Sequence, residues 1–238
     1  MTEVQNEQST TNNGAPLTLL IALLVLVIGA GITLYFWNAT AASQKVSSAV
    51  IDSPSQKTVN MSNLPLGKLD SAGNFIYELG DSIGIDLPNK YGNLKVGKYS
   101  TEAKLITFLQ DGYAKIDTIN GNWFEFNQVR FKTNSASLEP SSAAQLQNIA
   151  IICQAFPKAI FSIGAFTDNT GNENDNLSLS QQKASAIQTI LIELGATRSS
   201  IRQSKGYGSA NPVGDNNTLV GRAQNCRVSI NVKSKYDL

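Results

Sequence analysis

The sequence predicts an α+β protein: one N-terminal transmembrane helix, then a small α/β module, then a βαβαβαβ unit built on a mixed four-stranded sheet. Three observations carry this. Residues 17–37 form an uncharged apolar run. Short alternating runs and one helical run lie between 64 and 118. From 119 to 238, strand-like and helix-like segments alternate, which places helices against one face of a single sheet.

The elements run in chain order. Residues 1–16 are a polar tail without Lys or Arg. Leu17–Trp37 spans about 21 residues, long enough for a hydrocarbon core of roughly 30 Å, and Tyr35, Phe36 and Trp37 suit one membrane interface. A secretory signal cleaved near Ala39-Thr40-Ala41 is the competing reading, but a basic start is missing and the apolar run exceeds the usual signal core. An uncleaved anchor fits better. Residues 38–63, rich in Ser, Thr and Ala, read as a flexible linker.

In the 64–118 module, Phe75–Leu79, Ile83–Leu87 and Leu94–Val96 read as strands. Ser100–Leu109 reads as a helix capped by Ser100 or Thr101, with Asp111-Gly112 after it. The module is short for independent folding and could pack on the C-terminal unit or on a partner.

In the 119–238 unit, Val129 and Phe131 predict a first strand closing at Asn134-Ser135. Pro140 starts a helix carrying Leu146, Ile149, Ile152 and Phe156, which Pro157 stops. Ile160–Ala165 is the second strand. A helix from about Ser178–Ser180 presents Ile187, Ile190, Leu191 and Leu194 before Gly195 ends it. Ile201–Gly206, Leu219–Asn225 and Val228–Val232 predict strand, short helix and strand.

Composition excludes several classes of function. The 238-residue chain has net charge +1 and 16% charged residues, too little basic field for a nucleic-acid backbone. With 0 histidines, imidazole acid–base catalysis, His-activated nucleophiles and imidazole metal sites are excluded. No catalytic constellation, metal cluster or cofactor motif emerges, so the chain reads as non-enzymatic. Cys153 and Cys226 are far apart in sequence and read as two buried thiols, although a bridge is open in an oxidising compartment.

The C-terminal unit carries a dense set of spaced residues. These are Thr167-Asp168-Asn169-Thr170-Gly171, Asn176, Leu179-Ser180, Lys183-Ala184, Gly206-Tyr207-Gly208 with Pro212, and Gly221-Arg222 before Asn225-Cys226-Arg227-Val228. The set resembles the OmpA-like, peptidoglycan-associated domain family, with its T-D-x-x-G, N-x-x-L-S-x-x-R-A, G-Y-G-x-x-x-P and G-R-x-x-N-R-R-V spacing. The resemblance implies a periplasmic domain that clamps the diaminopimelate of a peptidoglycan stem peptide. It implies that Asp168 takes the amino group and Lys183, at the family's Arg position, the carboxylate. Thr167, Asn176, Leu179 and Asn134 complete the expected binding set, supported by Arg222, Asn225 and Arg227.

The physics of that assignment is plain: a zwitterion is matched by one anion and one cation in register. Lys183 in a first helical turn would oppose the macrodipole, and backbone N–H groups near Ser180 would add to carboxylate binding. Plainer roles exist for each residue. Asp168 beside Gly171 can cap its own turn, and Lys183 can be a solvated partner of Glu173 or Asp175.

Departures from the pattern fall on the binding surface. Lys183 loses a bidentate fork, and Cys226 replaces the first Arg of N-R-R-V. Phe166, Ala165 and Lys132 stand where His, Gly and Asp are common.

The expected partners are therefore peptidoglycan, the membrane through residues 17–37, and other subunits of an envelope complex, with no nucleic acid. The expected location is the inner membrane of a Gram-negative cell. A scaffold role in a secretion or motor complex, with a degenerate wall site, is the alternative. An ion-driven stator is disfavoured because Leu17–Trp37 lacks the intramembrane Asp which that family requires.

Overall fold

The computed structural model describes residues 66–236. The expected tail, membrane helix and linker lie outside the described residues, and among those described no helix is long and apolar enough to cross a membrane.

Two antiparallel hairpins open the described chain. The first joins β1 (Gly67–Leu69) to β2 (Phe75–Tyr77), and the second joins β3 (Ser82–Asp86) to β4 (Asn93–Gly97). Helix α1 (Thr101–Gln110) comes next, with Ser100 Oγ accepting from Ala103 N as the expected cap. The main sheet takes β5 (Asn122–Glu125), β6 (Ile160–Ala165), β7 (Ile201–Gly206) and β8 (Val228–Ser234). Helices α2 (Ala143–Ala155), α3 (Glu173–Glu193) and α4 (Leu219–Asn225) connect them.

The sheet order is β5-β8-β6-β7. β6 and β7 run parallel, whereas β8 is antiparallel to both β5 and β6, so the sheet is mixed. The last strand thus lies between the first two, and its Val228, Ile230 and Val232 enter the core with Phe161, Ile163 and Ala165 of β6. Leu146, Ile149 and Ile152 of α2 and Ile187 and Leu191 of α3 cover that face. The spacing of three and four that predicts these helices is the spacing of their buried side chains.

Two expected boundaries are corrected. The first strand is Asn122–Glu125, not the stretch around Val129 and Phe131. In that stretch Gln128 N donates to Gln145 Oε1 and Arg130 N to Ser142 Oγ, so its backbone is bound by the start of α2 instead of a strand. Phe131 makes an isolated bridge, to Leu138.

Helix α3 starts at Glu173, well before Ser178. Asn172 Oδ1 accepts from Asn174 N and Asp175 N, and Glu173 and Asp175 complement the N-terminal dipole. The first turns are mostly exposed and carry no apolar period, which hides them from a reading based on hydrophobic spacing.

Gly206 marks a close approach. A Cβ there would lie 2.1 Å from Gln181 N, so only glycine lets the end of β7 pass against α3. The approach is fastened on both sides: Gly206 N donates to Gln181 Oε1 and Gly208 N to Ser180 Oγ.

The α1 helix packs into the same core as α2, through Leu105, Ile106 and Leu109. A buried polar cluster fastens the two. Glu102 is 1% exposed and accepts from Gln145 Nε2 at 3.0 Å and Asn148 Nδ2 at 3.1 Å. Gln145 Nε2 also donates to Asn127 Oδ1 at 2.7 Å. Replacing Gln145 with Ala removes one donor each from Glu102 and Asn127 and the acceptor of Gln128 N, at about 2–4 kcal/mol. Urea unfolding of Gln145→Ala should show a loss of that size; a loss under about 0.5 kcal/mol, the usual scale for exposed surface changes, would mean the cluster is not structural.

The β1–β2 hairpin is held by a second contact, in which the Tyr77 hydroxyl donates to Glu125 on β5. Burial raises the Glu125 carboxyl above its ordinary value of 4.5, against the opposing pull of Tyr77, Arg227 and Lys104. A raised folded-state pKa means the native state holds this proton more tightly than the unfolded chain. Its contribution is complete below the ordinary value and is lost as pH rises through the folded one. Glu125→Gln keeps an acceptor for Tyr77 without the titration. The variant's stability should therefore gain on the parent's as pH climbs upward from 4.5; a difference that does not change with pH contradicts this.

Candidate functional site

The loop between β6 and α3 begins where Thr167 N donates to Gly208 O at 2.8 Å, which ties it to the end of β7. Asp168 comes next, half-buried. Its Oδ1 accepts from Thr170 N at 2.7 Å, the turn role that its neighbours suggest. Its Oδ2 accepts from the Cys226 thiol at 3.3 Å, and Asp168 N donates back to the same sulfur at 3.3 Å. Asn176 Nδ2 donates to Thr170 O at 2.9 Å and Asp168 O at 3.4 Å, closing the loop onto α3.

Lys183 lies on α3 with its Nζ 5.1 Å from the Phe131 ring centroid, within cation–π range. Burial lowers its ammonium pKa, and the adjacent Cys226 and Asp168 oppose that shift. Although Cys226 is exposed as a residue, its sulfur is turned in against Asp168; desolvation of the sulfur raises the thiol, with the Asp168 carboxylate adding to the effect, so it is held as a protonated donor. Asp168, Cys226 and Lys183 thus form one cluster. In the sequence Cys226 registers only as a missing cation; its proximity to Asp168 comes from β6 and β8 being neighbours, which no local signal reveals.

Because α3 begins at Glu173, Lys183 is far from the first turn. The dipole cost expected for it does not arise. The N–H groups near Ser180 lie inside the helix and do not face a ligand as a free N-terminus would.

The remaining expected residues separate into distinct roles. Thr167 is buried and its Oγ1 has no partner among the described residues. Leu179 is half-buried on α3. Asn134 stands exposed at φ +50° in the turn after Phe131, the residue that faces Lys183.

The supporting residues are committed to backbone. Asn225 Oδ1 accepts from Val213 N at 2.7 Å and Gly214 N at 2.8 Å, while its Nδ2 donates to Gly214 O at 2.9 Å. Arg222 Nη1 donates to Asn216 O at 2.8 Å. Arg227 Nη2 donates to Asn211 O at 2.9 Å, and its guanidinium carbon lies 3.8 Å from the Phe166 centroid. Phe166 in turn stacks on Tyr207, with centroids 4.8 Å apart and planes at 9°.

The thiols differ from expectation as well. Cys153 is buried, but Cys226 is exposed, and both are free. The reason is position: Cys153 sits on the core face of α2, whereas Cys226 succeeds the last residue of α4 at the rim of the loop cluster.

A cleft of about 400 Å³ lies elsewhere, lined by Leu66, Tyr77, Lys104, Trp123 and Glu125 among others, and by none of Asp168, Lys183 or Cys226.

Comparison with known proteins finds a match to the OmpA family over residues 130–226. The chain is similar to the Escherichia coli protein named Probable lipoprotein YiaD, 40% identical over 104 residues, which is 44% of this chain and 47% of that protein. It is similar to Peptidoglycan-binding protein ArfA of Mycobacterium tuberculosis, 38% identical over 102 residues, 43% of this chain and 31% of that protein. The matches thus span less than half the length of these curated relatives. Among solved structures, the peptidoglycan-associated lipoprotein of Burkholderia pseudomallei aligns with TM-score 0.42 and 28% identity, covering 44% of this chain and 88% of that one. Over residues 130–226 this chain is similar to the OmpA family.

Proposed function

We propose that this chain is a non-enzymatic cell-envelope protein whose C-terminal domain, residues 119–238, binds peptidoglycan non-covalently. In this reading the ligand is the diaminopimelate of the stem peptide. Asp168 receives its ammonium and Lys183 its carboxylate, and the domain lies in the periplasm on a single-pass inner-membrane anchor formed by Leu17–Trp37. The observation that carries the proposal is a half-exposed carboxylate on the β6–α3 loop, bonded to the Cys226 thiol at 3.3 Å, with the Lys183 ammonium of α3 in the same electrostatic cluster. Such a pair matches the two ends of a zwitterion and is costly to desolvate without one. The similarity to a relative named as peptidoglycan-binding supports the same reading.

The backbone around the pair is fastened by hydrogen bonds. Asn176 and Cys226 hold the loop from both sides, and the Asn225 bonds hold the 213–216 turn beside it. Preorganised charges lose little on binding.

A second reading, a scaffold subunit of an envelope complex with a degenerate wall site, draws on Cys226, whose thiol already occupies Asp168 Oδ2.

Co-sedimentation with diaminopimelate-type sacculi separates the two. Residues 66–238 are the right span, since α1 shares the core. The parent should pellet with sacculi and Asp168→Ala should stay in the supernatant; equal pelleting of the two rejects the assigned site. Lys183→Arg should tighten binding several-fold by restoring a bidentate grip, and an unchanged affinity favours the scaffold.

A further inference from the structure

We infer that Cys226 makes this site nearly indifferent to whether the ligand's side-chain carboxylate is free or amidated, so that both forms of a diaminopimelate stem peptide are bound. The inference rests on the stem-peptide reading above and concerns only how the site treats one end of that ligand.

Lys183 is the cation placed with Asp168 and Cys226. The two arginines of the same loop cluster are turned to other work. Arg222 donates to Asn216 O at 2.8 Å. Arg227 donates to Asn211 O at 2.9 Å and lies 3.8 Å from the centre of the Phe166 ring, so its guanidinium is held by these contacts even though Cys226, with Glu125 and Tyr77, is among its electrostatic neighbours. At position 226, where a guanidinium would add a second cation, a neutral thiol instead donates to Asp168 Oδ2.

A ligand carboxylate at Lys183 therefore meets a flexible ammonium already drawn over the Phe131 ring. An ammonium donates to a carboxamide oxygen nearly as well as to a carboxylate at a half-exposed site, where the added Coulomb attraction is small. What the ligand must supply is its own ammonium for Asp168. Amidation leaves that group untouched.

The test measures affinity of the full chain in detergent micelles for two synthetic stem peptides, one with a free side-chain carboxylate on diaminopimelate and one with that group amidated. The parent should bind both within about fivefold, the range of a weak exposed ion pair. A preference for the free acid beyond that overturns the inference while leaving the stem-peptide site intact. Failure of both peptides to bind removes the site itself, and the inference with it.

A second cation should then create the discrimination. Cys226→Arg should prefer the free carboxylate by more than about tenfold, chiefly through tighter binding of that peptide. If the variant does not fold, the exposed thiol of the parent can be converted with aminoethyl methanethiosulfonate. This forms a mixed disulfide bearing an ammonium and releases methanesulfinate. Cys153 is 2% exposed and its thiol is pushed up to about 12, so it should not compete. A modified protein that still binds both peptides equally would show that charge at position 226 does not set selectivity, against the inference.

Discussion

The central position of β8 is the constraint on which the rest of this domain depends. The strand comes last in the chain and is inserted antiparallel between β5 and β6. Its backbone pairs on both edges while alternate side chains, Val228, Ile230 and Val232, fill the core. Each such fully buried aliphatic chain contributes about 1.5–3 kcal/mol, so the strand stabilises the sheet as it completes it. The same insertion delivers Cys226 and Arg227 to the end of β6: Phe166 N donates to Arg227 O at 2.9 Å, and just beyond that bond Asp168 meets Cys226. The Asp168–Cys226 cluster is a by-product of sheet closure, which explains why its residues come from segments far apart in the chain.

Ahead of the sheet, the 66–118 region belongs to the same folded body. Its α1 side chains share the core, and the Glu102–Gln145–Asn127 cluster sits between α1, α2 and the end of β5. A carboxylate this buried and bonded to two amides is tolerable only because each of its oxygens has a donor. Such a cluster adds little net stability compared with apolar packing, but it admits one docking geometry, because a shifted helix would leave Glu102 unpartnered. Tyr77 and Glu125 do the same for the first hairpin.

The electrostatics of the loop cluster point the same way. Asp168 has one oxygen used by its own turn and the other by a thiol, a weak donor that a ligand ammonium can displace at small cost. Lys183 is partly desolvated against Phe131, so the ammonium has already given up some of the water that a hydrogen-bond acceptor would displace. The neighbouring arginines contribute by holding the turns still.

The sequence by itself determined the periodic elements of this protein. Strands at Ile160–Ala165 and Ile201–Gly206 and the helix at Leu219–Asn225 are legible to the residue, because apolar periodicity and glycine or proline punctuation act locally. Asp168 and Lys183 stand out as candidates through the resemblance of the spaced residue set to the OmpA-like family. Tertiary structure decided what local rules could not reach. The exposed first turns of α3 have no apolar period, so only the Asn172 cap reveals them. The stretch at Val129 and Phe131 alternates like a strand, yet its N–H groups find better partners on Gln145 and Ser142. The thiol of Cys226 reaches Asp168 for the same reason: hydrogen bonds between distant segments are set by strand order, and strand order results from burying the whole apolar surface at once.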